Sequence, residues 1–168
     1  MPMAHHVRVM NTLHVVGRAL LDGLSAQAAA HPRLRKNYNL HASEQEPCNR
    51  LLNAIQPGTY VAAHCHAETH KDETMVMVRG RMGVLAFDER GELVETVLLE
   101  AGGEQCSVTI PHGVFHSVVS LMAGTVFFEA KAGPYRPLQP DEKPVWAPAE
   151  GTPEAAAFLA QMRTLFSI

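Results

Sequence analysis

Three histidines and a glutamate, His64, His66, Glu73 and His116, have the types and spacing to hold one divalent ion. On an extended strand, residues i and i+2 point to one face about 6 to 7 Å apart, given a rise of roughly 3.3 Å per residue. That gap lets the imidazoles of His64 and His66 close on a single ion at about 2.1 Å. Cys65, between them, then faces the other way and reads as a packed thiol rather than a sulfur ligand. Three neutral imidazoles and one carboxylate around a divalent ion leave a net positive centre with room for water or substrate. Such a centre polarises a carbonyl, lowers the pKa of bound water or, as iron, activates dioxygen. These donors suit zinc, iron, manganese and nickel alike, so the metal stays open.

In a chain with ten histidines an isolated His-x-His is a weak signal. Its surroundings add weight. Gly58 follows a Pro-Gly turn before His64, Glu73 opens the run Glu-Thr-Met-Val-Met-Val-Arg that ends at Gly80, and Ile-Pro-His-Gly-Val-Phe-His spans 110–116. The arrangement resembles the two-part signature of the cupin superfamily, a glycine before His-x-His with a following Glu and Gly, then Pro-x-Gly and a third histidine. Gly58, His64, His66, Glu73, Gly80, Pro111, Gly113 and His116 match it. Six residues instead of the family's three or four separate His66 from Glu73, Gln105 replaces a glycine and Ser120 an asparagine. The longer connection makes His70 a rival ligand. Glu73 is preferred because it begins the apolar strand, whereas His70 lies in the charged stretch Ala-Glu-Thr-His-Lys-Asp, which reads as a loop at the mouth of the site.

The elements that must position these residues follow from the rest of the chain. Residues 17–30, with Leu20, Leu21, Leu24 and Ala28 at helical spacing, predict an amphipathic helix stopped by His31-Pro32. Short apolar and β-branched runs then recur at 49–55, 60–64, 74–78, 82–87, 93–99, 106–110, 116–121 and 125–130. Strands at that spacing suggest an all-β barrel or jelly roll, with hairpin turns at Asp88-Glu89-Arg90-Gly91 and Leu121-Met122-Ala123-Gly124. A Pro-rich stretch precedes a closing helix over 153–166, with Ala157, Leu159, Met162 and Leu165 as its expected buried positions. Trp146 packs this terminal segment against the sheet or stacks on a sugar.

At 168 residues the chain suits one domain: an N-terminal arm and helix over 1–36, a β-barrel over 37–131 and a C-terminal segment over 132–168. Residues 1–16, including His5 and His6, read as a disordered segment or an arm against a partner chain. A formal charge of −3 gives no basic field for nucleic acid, although Arg33, Arg35 and Lys36 cluster locally. Cys48, Cys65 and Cys106 suggest neither a disulfide framework nor a zinc ribbon. With no signal-peptide pattern and no run of about twenty apolar residues, a cytoplasmic protein without membrane contact is expected.

A narrower likeness covers roughly residues 20–150. The strings Pro-Arg-Leu-Arg-Lys-Asn-Tyr-Asn-Leu-His (32–41), Arg-Leu-Leu-Asn-Ala (50–54), Pro-Gly-Thr-Tyr-Val (57–61), Glu-Ala-Lys-Ala-Gly-Pro-Tyr (129–135) and Trp-Ala-Pro (146–148) resemble WbuC-type cupin fold metalloproteins. This implies a cupin (RmlC-like) jelly-roll barrel with an N-terminal and a short C-terminal helix. It also implies a sugar or nucleotide-sugar ligand, since the group is associated with surface-polysaccharide gene clusters. It draws attention to Asn37, Asn39, Arg50 and Lys131 as ligand-binding candidates, and to His41 and Tyr135 as candidate proton carriers. Asn37 and Asn39 also suit turn-satisfying roles, His41 a hydrogen-bonded surface role, and Arg50 either an internal ion pair or an anionic ligand. Lys131 and Arg136 flank the turn at Gly133-Pro134-Tyr135.

Three functions are consistent with these residues. The first is a divalent-metal-dependent isomerase or epimerase acting on a sugar derivative. The second is an iron-dependent cupin dioxygenase acting on a small organic substrate, and the third a non-catalytic protein binding metal or a small ligand. Cupin barrels commonly pair through sheet edges, which makes a homodimer the expected state, with the first helix covering such an edge.

Overall fold

The structure, a computed structural model, describes residues 13–166. Its elements are α1 (Arg18–Ala30), β1 (Arg35–Asn39), β2 (Cys48–Ile55), β3 (Glu73–Arg79), β4 (Arg81–Phe87), β5 (Leu93–Glu100), β6 (Ser107–Ile110), β7 (Phe115–Ser120), β8 (Thr125–Ala132) and α2 (Pro153–Thr164). A single 3-10 turn, Pro140–Glu142, precedes α2.

Side-chain alternation along the strands sorts the chain into layers. In β8, Val126 and Phe128 turn outward onto α1, where Leu24, Ala28, Leu52 and Ala54 meet them. Phe127 faces inward with Ile55, Met75, Met77, Met82, Val84 and Val118 to make the core between two sheets. In β4, Leu85 and Phe87 point the opposite way from Met82 and Val84 and are covered by Ala155 and Met162 of α2. Each sheet thus has its outer face under a helix and its inner face against the other sheet.

The larger sheet runs β1-β2-β8-β3-β6 and the smaller β5-β4-β7, all neighbours antiparallel. This is an all-β, cupin-like double-sheet fold with flanking helices, but the strand pairing leaves two sheets rather than the expected closed barrel. The run at 60–64 is not a ladder strand. It is extended and pairs only at an isolated bridge between His64 and His116. The turn at Leu121–Gly124 is no hairpin either, since β7 and β8 belong to different sheets and it carries the chain across from one to the other. The Asp88–Gly91 turn does close a hairpin between β4 and β5, with Asp88 Oδ1 accepting the amides of Arg90 and Glu92 at 2.8 and 2.9 Å. Instead of covering an edge, α1 lies on the outer face of the larger sheet. The reading of the N-terminal arm falls largely on residues 1–12, outside the described residues.

In α2 the buried face is Ala155 and Met162 with Phe158 and Leu159 partly covered, whereas Ala157 and Leu165 are exposed. The i, i+3, i+4, i+7 stripe therefore starts two residues earlier than expected. Gly83 lets this end of the chain close down, because a Cβ there would enter the Phe166 ring. Trp146 sits among Phe87, Phe115 and Phe158 and donates Nε1–H to the Glu89 carbonyl at 3.2 Å, so it packs the terminal segment onto the smaller sheet. Thr152 caps α2 by accepting the Ala155 amide at 3.2 Å. Thr152→Ala is expected to cost about 1 kcal/mol, a fall of roughly 3 °C in melting temperature by calorimetry.

Among the described residues no helix is long and apolar enough to cross a membrane. Cys48, Cys65 and Cys106 are all free.

Candidate metal centre

The segment that carries His64 and His66 is laid against β7 by its own backbone. His64 and His116 exchange N–H···O bonds at 3.1 and 2.9 Å, and the His66 carbonyl accepts the Gly113 amide at 2.8 Å. Gly113 turns with φ +78°, a left-handed conformation that favours glycine, which explains its place before the third histidine. Glu73 opens β3 opposite Ile110 on one side and Lys131 on the other, with its side chain buried. Cys65 is buried away from the cluster, its amide donating to the Glu142 carbonyl at 3.0 Å, and burial pushes its thiol pKa up.

One donor atom each from His64, His66, Glu73 and His116 lies within 4.8 Å of every other. Ligands bonded at about 2.1 Å sit at most about 4.2 Å apart across an ion, so donors at the widest separation would close by about half an ångström or more. The ring orientations suit that use. Nδ1 of His64 lies 3.0 Å from the Ala62 carbonyl and Nδ1 of His116 lies 2.9 Å from the Val114 carbonyl, which assigns Nδ1–H as donor and turns each Nε2 into the cluster. Nε2 of both His66 and His116 converge on Glu73 Oε2 at 3.1 Å. The four residues form a divalent-metal-binding site of unspecified metal.

Electrostatics prepare the donors. Burial, reinforced by the neighbouring His116, pushes His64 down to about 4, so its imidazole is neutral at ordinary pH. Burial alone would raise Glu73, but hydrogen bonds with His116 and His66 and the charge of Lys131 outweigh it and hold the carboxyl well below its usual range. Lys131 lies 3.5 Å from Glu73 and 2.8 Å from Glu129. Burial alone would lower its pKa, yet the two carboxylates raise it. Glu129, hydrogen-bonded by Asn53 at 2.7 Å, is raised to about 7 by burial and by the Glu73 charge.

His70 is not in the cluster. It is exposed and pairs with Glu68 at 3.1 Å. The other candidates divide by strand parity. On β2, Leu52 and Ala54 face α1, so Arg50 also points outward, where it pairs with Glu46 at 3.2 Å and lines none of the cavities described below. Asn37, Asn39, His41, Lys131 and Tyr135 do come together around one cavity of about 230 Å³. There Asn37 donates to Asn39 at 3.1 Å, and the Nδ1 of His41 accepts the Arg50 amide at 3.1 Å. Tyr135 is half exposed.

A larger cavity of about 320 Å³ opens directly onto His64, Glu73 and His116 and extends past Glu129 and Lys131 to Asn37, Arg35 and Arg33. A third, of about 210 Å³, meets His64 and His66 from the side of Tyr135 and Arg136. Glu129 and Asn53 were not singled out by the sequence, and Arg35 only as part of a local basic cluster. A signal was present for Glu129, since Phe127, Glu129 and Lys131 alternate on the inward face of one strand.

Comparison with curated protein sequences finds no match. Among solved structures, the chain is similar to KdgF from Halomonas sp., with 16% identity, a TM-score of 0.49 and coverage of 63% of this chain and 84% of that one. It is also similar to a conserved protein of unknown function from Streptococcus pyogenes, with 12% identity, a TM-score of 0.47 and coverage of 63% and 80%. A variant of Bacillus subtilis oxalate decarboxylase shows 23% identity and a TM-score of 0.42, covering 52% of this chain and 21% of that one. A family model described as Domain of unknown function (DUF6016) matches residues 16–99, half of the chain. With its two-sheet cupin-like fold and its metal-binding site, the chain belongs to this DUF6016 family.

Proposed function

We propose that the chain is a divalent-metal-dependent enzyme acting on a sugar or nucleotide sugar in surface-polysaccharide metabolism, by isomerase- or epimerase-like proton transfer. The observation that carries the reading is the direct opening of three metal ligands, His64, Glu73 and His116, into a cavity that also presents amides, carboxylates and ammonium groups. A buried structural site would be closed off, whereas a catalytic one keeps a face free for the ligand. The carbohydrate assignment comes from the resemblance to WbuC-type proteins in the strings around Asn37, Lys131 and Trp146. The adjoining polar cavity supports it, because asparagine amides and a phenol both donate to and accept from hydroxyls.

The ion would be held by His64, His66, Glu73 and His116 and would supply Lewis acidity toward a substrate oxygen. The chain's own groups do the rest. Asn37 and Lys131 orient the ligand, and Phe127, Val118 and Met75 wall the cavity against bulk water. His41 and Tyr135, which border the polar cavity beside Lys131, are the proposed proton carriers.

Elemental mass spectrometry of the purified protein, with His64→Ala as control, comes first. The proposal expects near-stoichiometric zinc or manganese, together with solvent deuterium entering a sugar phosphate or nucleotide sugar as read by NMR. Stoichiometric iron with substrate-linked oxygen uptake replaces it with dioxygenase chemistry. A fully metal-loaded protein that turns over no sugar derivative leaves a binding protein.

The proposal includes a cytoplasmic location, which suits three free cysteines, and a homodimer joined through a sheet edge such as β1. Light scattering at micromolar concentration should give twice the 18.3 kDa chain mass, and the mass of a single chain overturns the dimer.

A further inference from the structure

One end of the 320 Å³ cavity is metal-binding and the other is basic. Arg35 and Asn37 alternate on the cavity face of β1, while Tyr38, the next residue along, packs toward α1. Arg33 stands just before the strand, and Lys36 also borders the cavity. A single carboxylate serves the two arginines. Glu150 takes Nε and Nη2 of Arg33, each at 2.8 Å, and Nη2 of Arg35 at 2.9 Å. Arg35 donates its Nη1 to the Tyr60 carbonyl at 2.7 Å. Among the described residues Lys36 has no acidic partner within ion-pair distance.

Around the cavity four cations, Arg33, Arg35, Lys36 and Lys131, thus stand against three carboxylates, Glu73 and Glu129 in the lining and Glu150 on the arginines, before the charge of a divalent ion is added. This occurs in a chain whose formal charge is −3, so the excess is local to the cavity. A concave site lined by one sign of charge concentrates ligands of the other sign. Guanidinium groups at the mouth match the planar oxygens of carboxylate and phosphate, and part of their hydrogen-bonding capacity lies beyond what Glu150 takes up.

We propose that this cavity takes an anionic ligand of about one sugar ring in size, its carboxylate or phosphate seated on Arg33, Arg35 and Lys36 and its other end turned toward His64, Glu73 and His116. The inference deepens the carbohydrate reading and rests on it for the identity of the ring. It also narrows that reading, because ligand cavities run from about 300 to 1,000 Å³ and this one lies at the lower limit, too small to enclose a nucleoside diphosphate together with its sugar. Glu150 then acts as the resident counter-ion with which an entering anion competes.

Titration calorimetry on the full-length, metal-loaded protein tests this with glucose, glucuronate, glucose 1-phosphate, malonate and inorganic phosphate as probes. At least one anionic probe is expected to bind about ten-fold or more tightly than glucose, the return of a charge-assisted contact worth about 1.4 kcal/mol. Lys36→Gln and Arg33→Gln should each erase most of that preference with metal content unchanged, and Glu150→Gln should strengthen anion binding several-fold. Because Arg33 and Glu150 pair with each other, Lys36→Gln provides the variant least tied to folding. Comparison of glucuronate with glucose 1-phosphate decides between carboxylate and phosphate. Binding of malonate or phosphate that depends on Lys36, with no sugar bound, keeps the anion site and removes the carbohydrate reading. Glucose binding as tightly as its anions keeps the carbohydrate reading and overturns the anion site. Absence of binding by every anion, or full anion preference in both Lys36→Gln and Arg33→Gln, overturns it as well.

Discussion

His116→Ala protein should emerge from purification with less than about a tenth of the wild-type metal, while His70→Ala retains a full equivalent, both read by elemental mass spectrometry. His116 is fixed on three sides: its backbone is bridged to His64, its Nδ1 is bound to the Val114 carbonyl and its Nε2 faces Glu73. Replacement by alanine removes one of four donors from a buried position that water fills poorly. His64→Ala should behave the same way. His70, exposed and held by Glu68, has no part in the cluster, so its loss changes only a surface ion pair worth about 0 to 1 kcal/mol. Metal retained by His116→Ala and lost by His70→Ala would overturn the ligand assignment.

Glu142→Ala should lose about 3 kcal/mol of stability, roughly 9 °C in melting temperature, and weaken metal binding about ten-fold although Glu142 is no ligand. The buried carboxylate accepts the Ala67 amide at 2.9 Å and the Gln139 amide at 2.8 Å, and the Glu142 carbonyl accepts the Cys65 amide. It thereby pins the residues on either side of His66. Alanine leaves two buried amides without an acceptor, whereas Glu142→Gln keeps one acceptor oxygen and should recover about half of the loss. Burial alone would raise this carboxyl, but the two amides and Arg136 outweigh it and hold it below the usual range. The stability it contributes is therefore present above the unfolded-state pKa and disappears as pH falls through the lower folded value. Wild type should lose its advantage over Glu142→Gln in acid below about pH 4, as followed by denaturant melts across that range. An unchanged difference between the two at pH 3 and pH 7 would show that the carboxylate charge is not what holds the segment.

The metal ligands were legible because spacing along the chain translates directly into direction: His64 and His66 share a face, Cys65 takes the other, and Glu73 begins an apolar strand. Most strand positions were legible for the same reason. Where the sequence left a position open, packing against another element or pairing with a distant segment decides it. Arg50 shares the parity of Leu52 and Ala54, but Leu51 and Ile55 are as apolar on the other face, so only the packing of α1 decides which way it points. β1, read as Arg-Lys-Asn-Tyr-Asn, has no apolar alternation to reveal it and is held by pairing with β2, whose partners lie 12 to 20 residues away. The segment at 60–64 has strand composition but only one bridge, since its backbone is used to place His64. Glu142 gave no sign at all, because its role depends on amides in a segment about seventy-five residues earlier.

Glu73 belongs to the larger sheet and His116 to the smaller, while His64 and His66 lie on the segment between. A bound ion is therefore a rivet through both layers of the sandwich. Parting the sheets along β3 and β7 breaks coordination, and by linkage every increment of metal affinity also resists that parting. Occupancy should accordingly be written into the backbone beyond the ligands: amides of β3 and β7 slow together in hydrogen exchange on loading, while α1, packed on the outer face of the larger sheet, keeps its own rate.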